Sequence, residues 1–403
     1  SKWFAASIYG KESQYSEQLK RSCIVSLIML SERENSSGAS FNACISETCK
    51  SRVKQIFEAI QSLDQWRTIC PHLAEFMEAA PDVVLPRMED ASAHQDSPFW
   101  DLFEASDNNL LERSFYTHIL WAVEIAMWDT QNASRALNLL VRFEEKEFSY
   151  TLSNSPIDSL YRIFCLWHPQ GCFTLNERKI LLHNIIANHH SIAAELVDKL
   201  LPRGQQITQD IAKPRWKTID SKPVKILRSD YNEMIQLVST AYIDSITASV
   251  SDWKTVLRHL DFFAPIEELA DRCTSFAASM SEDELFLLCS EIARYIGHSR
   301  SYHHDNDVQM HRTDVLERLL FSLLPDTPRS YAVFFLNNFY GLIPYRYIED
   351  AYDYHKEQEY LHKFHKEKIL ELVEHYGKIS VISAIPYVEN TKAYAKAIAE
   401  DVM

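Results

Sequence analysis

The stretch "WHPQGCFTLNER", residues 167–178, decides how this chain is read. Together with the residue two positions before it, it spells Cys165-x-x-His168-x-x-x-Cys172. That pattern is either part of a metal site or the corner between two helices. A zinc site takes four Cys or His ligands, commonly in tightly spaced pairs. Here only His183, His189 and His190 lie near enough in sequence to supply a fourth. The corner reading explains more of the residues. "SLYRIFCLW" ends a helix on its apolar face, "HPQG" holds the turn formers, and "TLNE" at 174–177 is a capping box that opens the next helix. The stretch is therefore read as a helix corner with no metal.

The same grammar recurs along the chain. "SEDE" at 281–284 is a second capping box, while "SPID" (155–158) and "APIEE" (264–268) place Pro in a first helical turn, where a missing N–H is harmless. Stops fall at "LLPRG" (200–204), "YIGHSR" (295–300), "LLPD" (323–326) and "YGLIP" (340–344). In "VLERLLFSLL", Val315/Leu316, Leu319/Leu320 and Leu323/Leu324 draw one apolar stripe, and Leu181, Ile185, Ile192, Leu196 and Leu200 draw another over 181–200. Residues 81–97 read as a loop, and a long charged surface helix is expected over about 346–376, with Glu359 and Lys363 as an i,i+4 pair. "KISVISAIPYV" (378–388) is the best strand candidate, although it suits a short helix equally.

Composition agrees with helices. The 403 residues contain only seven glycines, against an average usage of about 7%, and folds built on Gly-rich turns need more. With short corners and no clean repeat period, the expected fold is all-α: an irregular α-solenoid, or TPR- or HEAT-like repeat array. It is divided as 1–202, an N-terminal helical array; 203–228, a linker or irregular connection; and 229–403, a C-terminal helical array.

The formal net charge of −15, from 41 Lys+Arg against 56 Asp+Glu, repels a phosphate backbone, and no basic run exceeds "KPRWK" at 213–217. No nucleic-acid partner is expected. No apolar run reaches the roughly 18 residues of a membrane span, so no membrane partner is expected either. The eight cysteines sit in hydrophobic stretches such as "FCLW" and "LLCSEI", which suits free thiols in a cytoplasmic protein. The start at Ser1 and the ending "AIAEDVM" read as a fragment of something longer.

Chemistry-bearing motifs are few. "HHDNDVQMH" (303–311) gathers His303, His304, Asp305, Asp307 and His311, but is rich in turn formers and reads as a solvated loop before a helix. Glu359-x-x-His362 has di-iron spacing, yet such bundles need the motif twice. "YGKES" (9–13) lacks the first Gly of a phosphate loop. No catalytic, cofactor-binding or metal residue is assigned, and no cofactor is expected. The aromatic-rich segment 331–360 leans towards binding. Its Phe334, Phe335 and Phe339 suit a core, while Tyr345, Tyr347, Tyr352, Tyr354 and Tyr360 are candidate partner-binding residues.

Several stretches resemble the C-terminal helical region of large bacterial anti-phage defence proteins of the STAND NTPase type. They are "LWAVEIAMWDTQNASRALNLLVRF" (120–143), "PIDSLYRIFCLWHPQGCFTLNERKILLHNII" (156–186), "LVDKLLP" with "KPRWK" (196–217), and "ILELVEHYG" with "ISAIP" (369–386). These are packing and corner patterns rather than catalytic motifs. The resemblance implies a helical array that follows an NTPase or effector domain and recognises a phage component or closes the assembly. No functional residue carries over. The function expected is non-enzymatic recognition of a partner protein, which the resemblance implies to be phage-encoded. The alternatives are an oligomerisation scaffold or a metal-dependent hydrolase built on the His-rich segments.

Overall fold

The computed structural model describes residues 15–37, 43–103, 115–146, 148, 154–219, 224–302, 306–337, 354–388, 391, 394–395 and 398. Among them the chain is helical and contains no strand. It divides into two compact units, 1–242 and 243–403.

Unit 1 begins with α1 (Glu17–Ser37), α2 (Ala43–Glu58), α3 (Leu63–Ile69), α4 (Leu73–Ala79) and α5 (Pro81–Ser92). It continues through α6 (Tyr116–Ala126), α7 (Ala133–Glu145), α8 (Pro156–Phe164), α9 (Leu175–Asn188) and α10 (His190–Leu200). The next helix, α11 (Arg228–Ser245), spans the division between the units. The main helix–helix contacts of this unit join elements no more than three apart in chain order, for example α4 with α6 and α7 with α8. An aromatic cluster anchors the core. Phe99 meets Trp66 edge-on at 5.1 Å, and Phe103 lies 5.0 Å from Phe143 and stacks on Phe148 at 5.3 Å. Edge-to-face pairs of this kind stabilise by about 0.5–1.5 kcal/mol each beyond area burial.

The corner at 165–174 is built as its residues demand. Ser155 caps α8 by accepting the Asp158 amide, and Thr174 with Glu177 forms the capping box of α9. Gly171 has φ +86, and a Cβ there would lie 3.0 Å from the Met127 carbonyl oxygen, so both backbone and space require glycine. Arg178, the last residue of the opening stretch, is 1% exposed. Its guanidinium donates to the carbonyls of Phe173 (3.0 Å), Gly171 (3.1 Å) and Ile163. It thus satisfies a carbonyl in the last turn of α8, a position that favours a cation. Burial pushes its pKa down to about 10.

Several expectations are corrected. Residues 81–92 of the expected loop form α5, with Pro81 at its start and Pro86 inside it. Burial of Val84, Leu85 and Met88 outweighs the amide that Pro86 lacks. The apolar run 181–200 is two helices that break at His189, and Leu182 rather than Leu181 is buried.

The sequence sets residues 203–228 apart as a linker or irregular connection. The described part, 203–219 and 224–227, holds no helix, yet 209–217 is pinned to the helices of unit 1. Gln170, itself buried, donates to the Gln209 carbonyl and accepts from the Ile211 amide, both at 2.8 Å. Glu124, 1% exposed, accepts the Ala212 amide at 2.8 Å and the Ser159 hydroxyl at 2.6 Å. Burial raises the pKa of Glu124. Trp128 Nε1 donates to the Ala212 carbonyl at 2.9 Å. Glu78, 4% exposed, accepts three successive amides, from Arg215 (3.1 Å), Trp216 and Lys217 (2.6 Å). Successive amides turned towards one oxygen pair make an anion nest, filled here by a carboxylate of the same chain.

Unit 2 contains α12 (Val250–Arg258), α13 (Ile266–Ala277), α14 (Glu282–Tyr302) and α15 (Asp307–Leu323). After these come α16 (Pro328–Tyr331), a π-helical turn over Ala332–Leu336, α17 (Tyr354–Tyr376) and α18 (Lys378–Ala384). The capping box at Ser281 and Glu284 forms. Pro265 sits at the N-cap of α13 rather than within its first turn. The stop expected at 295–300 does not occur, because α14 runs through it with Gly297 buried. A mid-helix glycine costs about 1 kcal/mol relative to alanine, which packing of α14 against α15 outweighs. The expected stripe of α15 is buried at Val315, Leu316, Leu319 and Leu320 and half-buried at Leu323 and Leu324. The expected stop at 340–344 lies outside the described residues.

Candidate functional site

The C-terminal part of unit 2 carries most of what the sequence flagged for binding. Ala332, Leu336, Ile369, Leu372, Val381, Ala384 and Val388 make a local core that joins the π-helical turn to α17 and α18. Phe334 is buried edge-on against Phe286 of α14 at 5.6 Å, Phe335 is half-buried, and Phe339 lies outside the described residues. Along α17, Tyr360, Phe364, Lys368 and Glu371 recur at helical spacing and build a ladder. Tyr360 stacks on Phe364 at 6.4 Å, and Lys368 sits over the rings of Phe364 (5.7 Å) and Phe335 (5.3 Å). Phe335 stacks on the half-exposed Phe321 at 6.0 Å and lies 4.9 Å from Tyr331. The Tyr331 hydroxyl donates to Glu371 at 2.5 Å, and burial together with that carboxylate pushes the tyrosine well above its usual range.

Of the candidate partner-binding tyrosines, Tyr360 is half-buried within this ladder. Tyr345, Tyr347 and Tyr352 lie outside the described residues, and Tyr354 is described only as the first residue of α17.

Sequence reasoning missed the neighbouring apolar face. "KISVISAIPYV", which suits a strand or a short helix in sequence, takes the helical alternative: it forms α18 followed by a 3-10 turn over Ile385–Tyr387. Val381, Ala384 and Val388 turn inward, whereas Ile379 is 82% exposed, Ile382 68%, Tyr387 42% and Ile385 38%. The signal was present: Ile379, Ile382 and Ile385 recur every three residues, one position out of phase with the buried Val381 and Ala384. Exposed isoleucines grouped in this way stand apart from the scattered apolar residues of an ordinary surface.

The metal candidates are dispersed. Cys165 is buried, Cys172 half-buried, and His168 is exposed beside Asp210 at 3.4 Å. His311 lies within α15 and pairs with Glu267 at 2.6 Å, while His303, His304 and Asp305 fall outside the described residues. Glu359 and His362 are exposed on α17. Among the described residues no group of three or more His, Cys, Asp or Glu is placed to hold a metal ion. No described helix is long and apolar enough to cross a membrane.

No known family model matches the chain, and neither does any curated protein or solved structure.

Proposed function

We propose that the chain is a non-enzymatic recognition module that binds a partner protein through unit 2. The observation that carries this reading is the apolar face of Ile379, Ile382, Ile385 and Tyr387, left in solvent beside an inward core. Burying one such isoleucine under a partner stabilises a complex by about 1.5–3 kcal/mol. The principal contacts between near neighbours in chain order support a TPR- or HEAT-like array within each unit, whose stacked helices offer broad surfaces. On the resemblance noted in sequence, the parent is a cytoplasmic bacterial defence protein of the STAND type and the partner is phage-encoded.

The test uses the full chain as bait in lysates of phage-infected bacteria, followed by titration of any retained protein after purification. Recognition predicts near-stoichiometric retention and an affinity reduced by roughly 10-fold or more in Ile379→Asp and Ile382→Asp. Retention unaffected by both substitutions would remove this face from the reading. Concentration-dependent self-association that the same substitutions abolish would favour the scaffold instead.

A further inference from the structure

A second surface lies in unit 1 and does not depend on the isoleucine face of unit 2. It follows from where the tryptophans are. Of the chain's eight, Trp66, Trp100 and Trp253 are buried, and Trp3 lies outside the described residues. The other four gather at the pinned segment 209–217. Trp216 belongs to the segment itself, and Trp128 donates to its Ala212 carbonyl. Trp167 lies 5.9 Å from the ring of His168, which faces Asp210 of the segment at 3.4 Å. Trp121 precedes Glu124 by three residues on α6 and so shares the helix face from which Glu124 reaches the Ala212 amide. Trp121, Trp167 and Trp216 are 44%, 42% and 42% exposed, whereas tryptophan is on average highly buried.

The segment is built to present its side chains rather than to bury them. Its four anchors, from Gln170, Glu124, Trp128 and Glu78, all engage backbone groups, and Arg215 and Trp216 are left exposed. A backbone already fixed in place lowers the ordering cost of binding. The three cations of the segment differ. Lys213 is taken up by Asp210 at 2.6 Å and lies over the Trp128 ring at 5.4 Å. Lys217 is half-buried, donates to the Ala79 carbonyl at 3.4 Å, and is drawn to the carboxylates of Glu32, Asp129, Glu78 and Asp82. The Arg215 guanidinium has no carboxylate partner among the described residues.

Trp and Arg are the residue types that most often dominate the energy of protein–protein contacts. Exposed indole faces take apolar side chains, and a guanidinium fork takes a carboxylate through two parallel bonds. A single-stranded nucleic acid also stacks on indoles, but it needs a row of cations along its phosphates. Here Arg215 alone of the segment's cations is unpaired, in a chain of net charge −15.

We propose that this surface docks a short segment of a partner protein in which a carboxylate stands beside large apolar side chains, the carboxylate on Arg215 and the apolar groups on the exposed tryptophans.

A random dodecapeptide library displayed on phage and selected against the immobilised full chain tests this, with enriched peptides synthesised and titrated by fluorescence anisotropy. Enriched peptides are expected to carry Asp or Glu next to Leu, Phe or Trp. Trp216→Ala and Arg215→Glu should each weaken their binding by about 10-fold or more. The same charge reversal at the exposed Lys363 of unit 2, Lys363→Glu, should leave it unchanged. Neither substitution in the segment removes a backbone anchor, so hydrogen exchange at the Arg215–Lys217 amides should stay native and separate lost contact from lost structure. Three results would overturn the assignment: no peptide enriched over an uncoated surface, enriched peptides that lack a carboxylate or bind both variants as well as the native chain, or tighter binding of a single-stranded oligothymidylate than of any enriched peptide.

Discussion

Replacing Glu78 by Gln should free one end of the 209–217 segment while leaving the other in place. In the native protein Glu78 Oε1 accepts the Trp216 and Lys217 amides and Oε2 accepts the Arg215 amide. A glutamine of the same volume keeps one acceptor oxygen, but its NH2 then faces the remaining N–H, donor against donor. One charge-assisted bond of about 1.5–3 kcal/mol is lost and the other two fall to neutral strength, a further loss of about 1 kcal/mol each. The total of about 3–5 kcal/mol is a ceiling, because local detachment lets water satisfy the freed amides. Hydrogen exchange with peptide-level mass spectrometry reads the effect where it arises. The Arg215–Lys217 amides should exchange about 100- to 1,000-fold faster in the variant, while Ile211 and Ala212, held by Gln170 and Glu124, keep their protection. Glu124→Gln should weaken protection at Ala212 and spare the Glu78 end. Unchanged exchange at Arg215–Lys217 in Glu78→Gln, or unprotected amides there in the native chain, would refute the reasoning.

Three further outcomes are expected. Arg178→Met leaves the carbonyls of Ile163, Gly171 and Phe173 without their donor, at about 1–3 kcal/mol each before relaxation; a variant melting with the native protein would show that the buried guanidinium is dispensable. Glu144, which accepts the Ile157 amide at 2.8 Å, has its pKa raised from 4.5 to about 7 by burial and by Glu195 and Asp158, against Lys199. Its protonated form is therefore favoured by folding: this stability is fully present below about pH 4.5 and lost as pH rises through about 7, by at most about 3 kcal/mol. Glu144→Gln should flatten that slope in denaturant unfolding at pH 5 and pH 8 and be the more stable protein at pH 8, and a native slope as flat as the variant's would count against it. Alkylation under native conditions should label the exposed Cys23 and spare Cys70, Cys273 and Cys289, whose thiols burial pushes up to about 12; mass spectrometry of labelled peptides decides.

What the sequence disclosed was local. Ser155, Thr174 and Ser281 cap helices through bonds to residues three positions on, so their role is written within four letters. The helix over 81–92 was hidden by two prolines, since a local rule cannot weigh what Val84, Leu85 and Met88 gain by burial. The anchoring of 209–217 was hidden by distance: Glu78 lies 137 residues from Arg215 and Glu124 lies 88 from Ala212. A buried glutamate is indistinguishable in sequence from one on the surface. Of the candidate site, the aromatic density around Tyr331 and Phe335 is legible in sequence, but 378–388 suits a strand and a short helix equally, and neither reading marks the isoleucines as exposed. Their three-residue recurrence gains meaning only once Val381 and Ala384 are seen turned inward.

The way residues 209–217 are held also sets what mutation can do to them. Every anchoring bond from Gln170, Glu124, Trp128 and Glu78 ends on a backbone amide or carbonyl of the segment. The segment's own side chains add the buried Ile211 and Lys217, whose ammonium donates to the Ala79 carbonyl at 3.4 Å, while the exposed Asp210 and Lys213 contribute little; most of the specificity therefore resides in the helices. In a saturation library, positions 210, 213 and 215 should accept most side chains. Proline should be rejected at 211, 212 and 215–217, where it would delete an amide that a buried carboxylate or carboxamide requires. The corresponding glutamates should tolerate almost nothing.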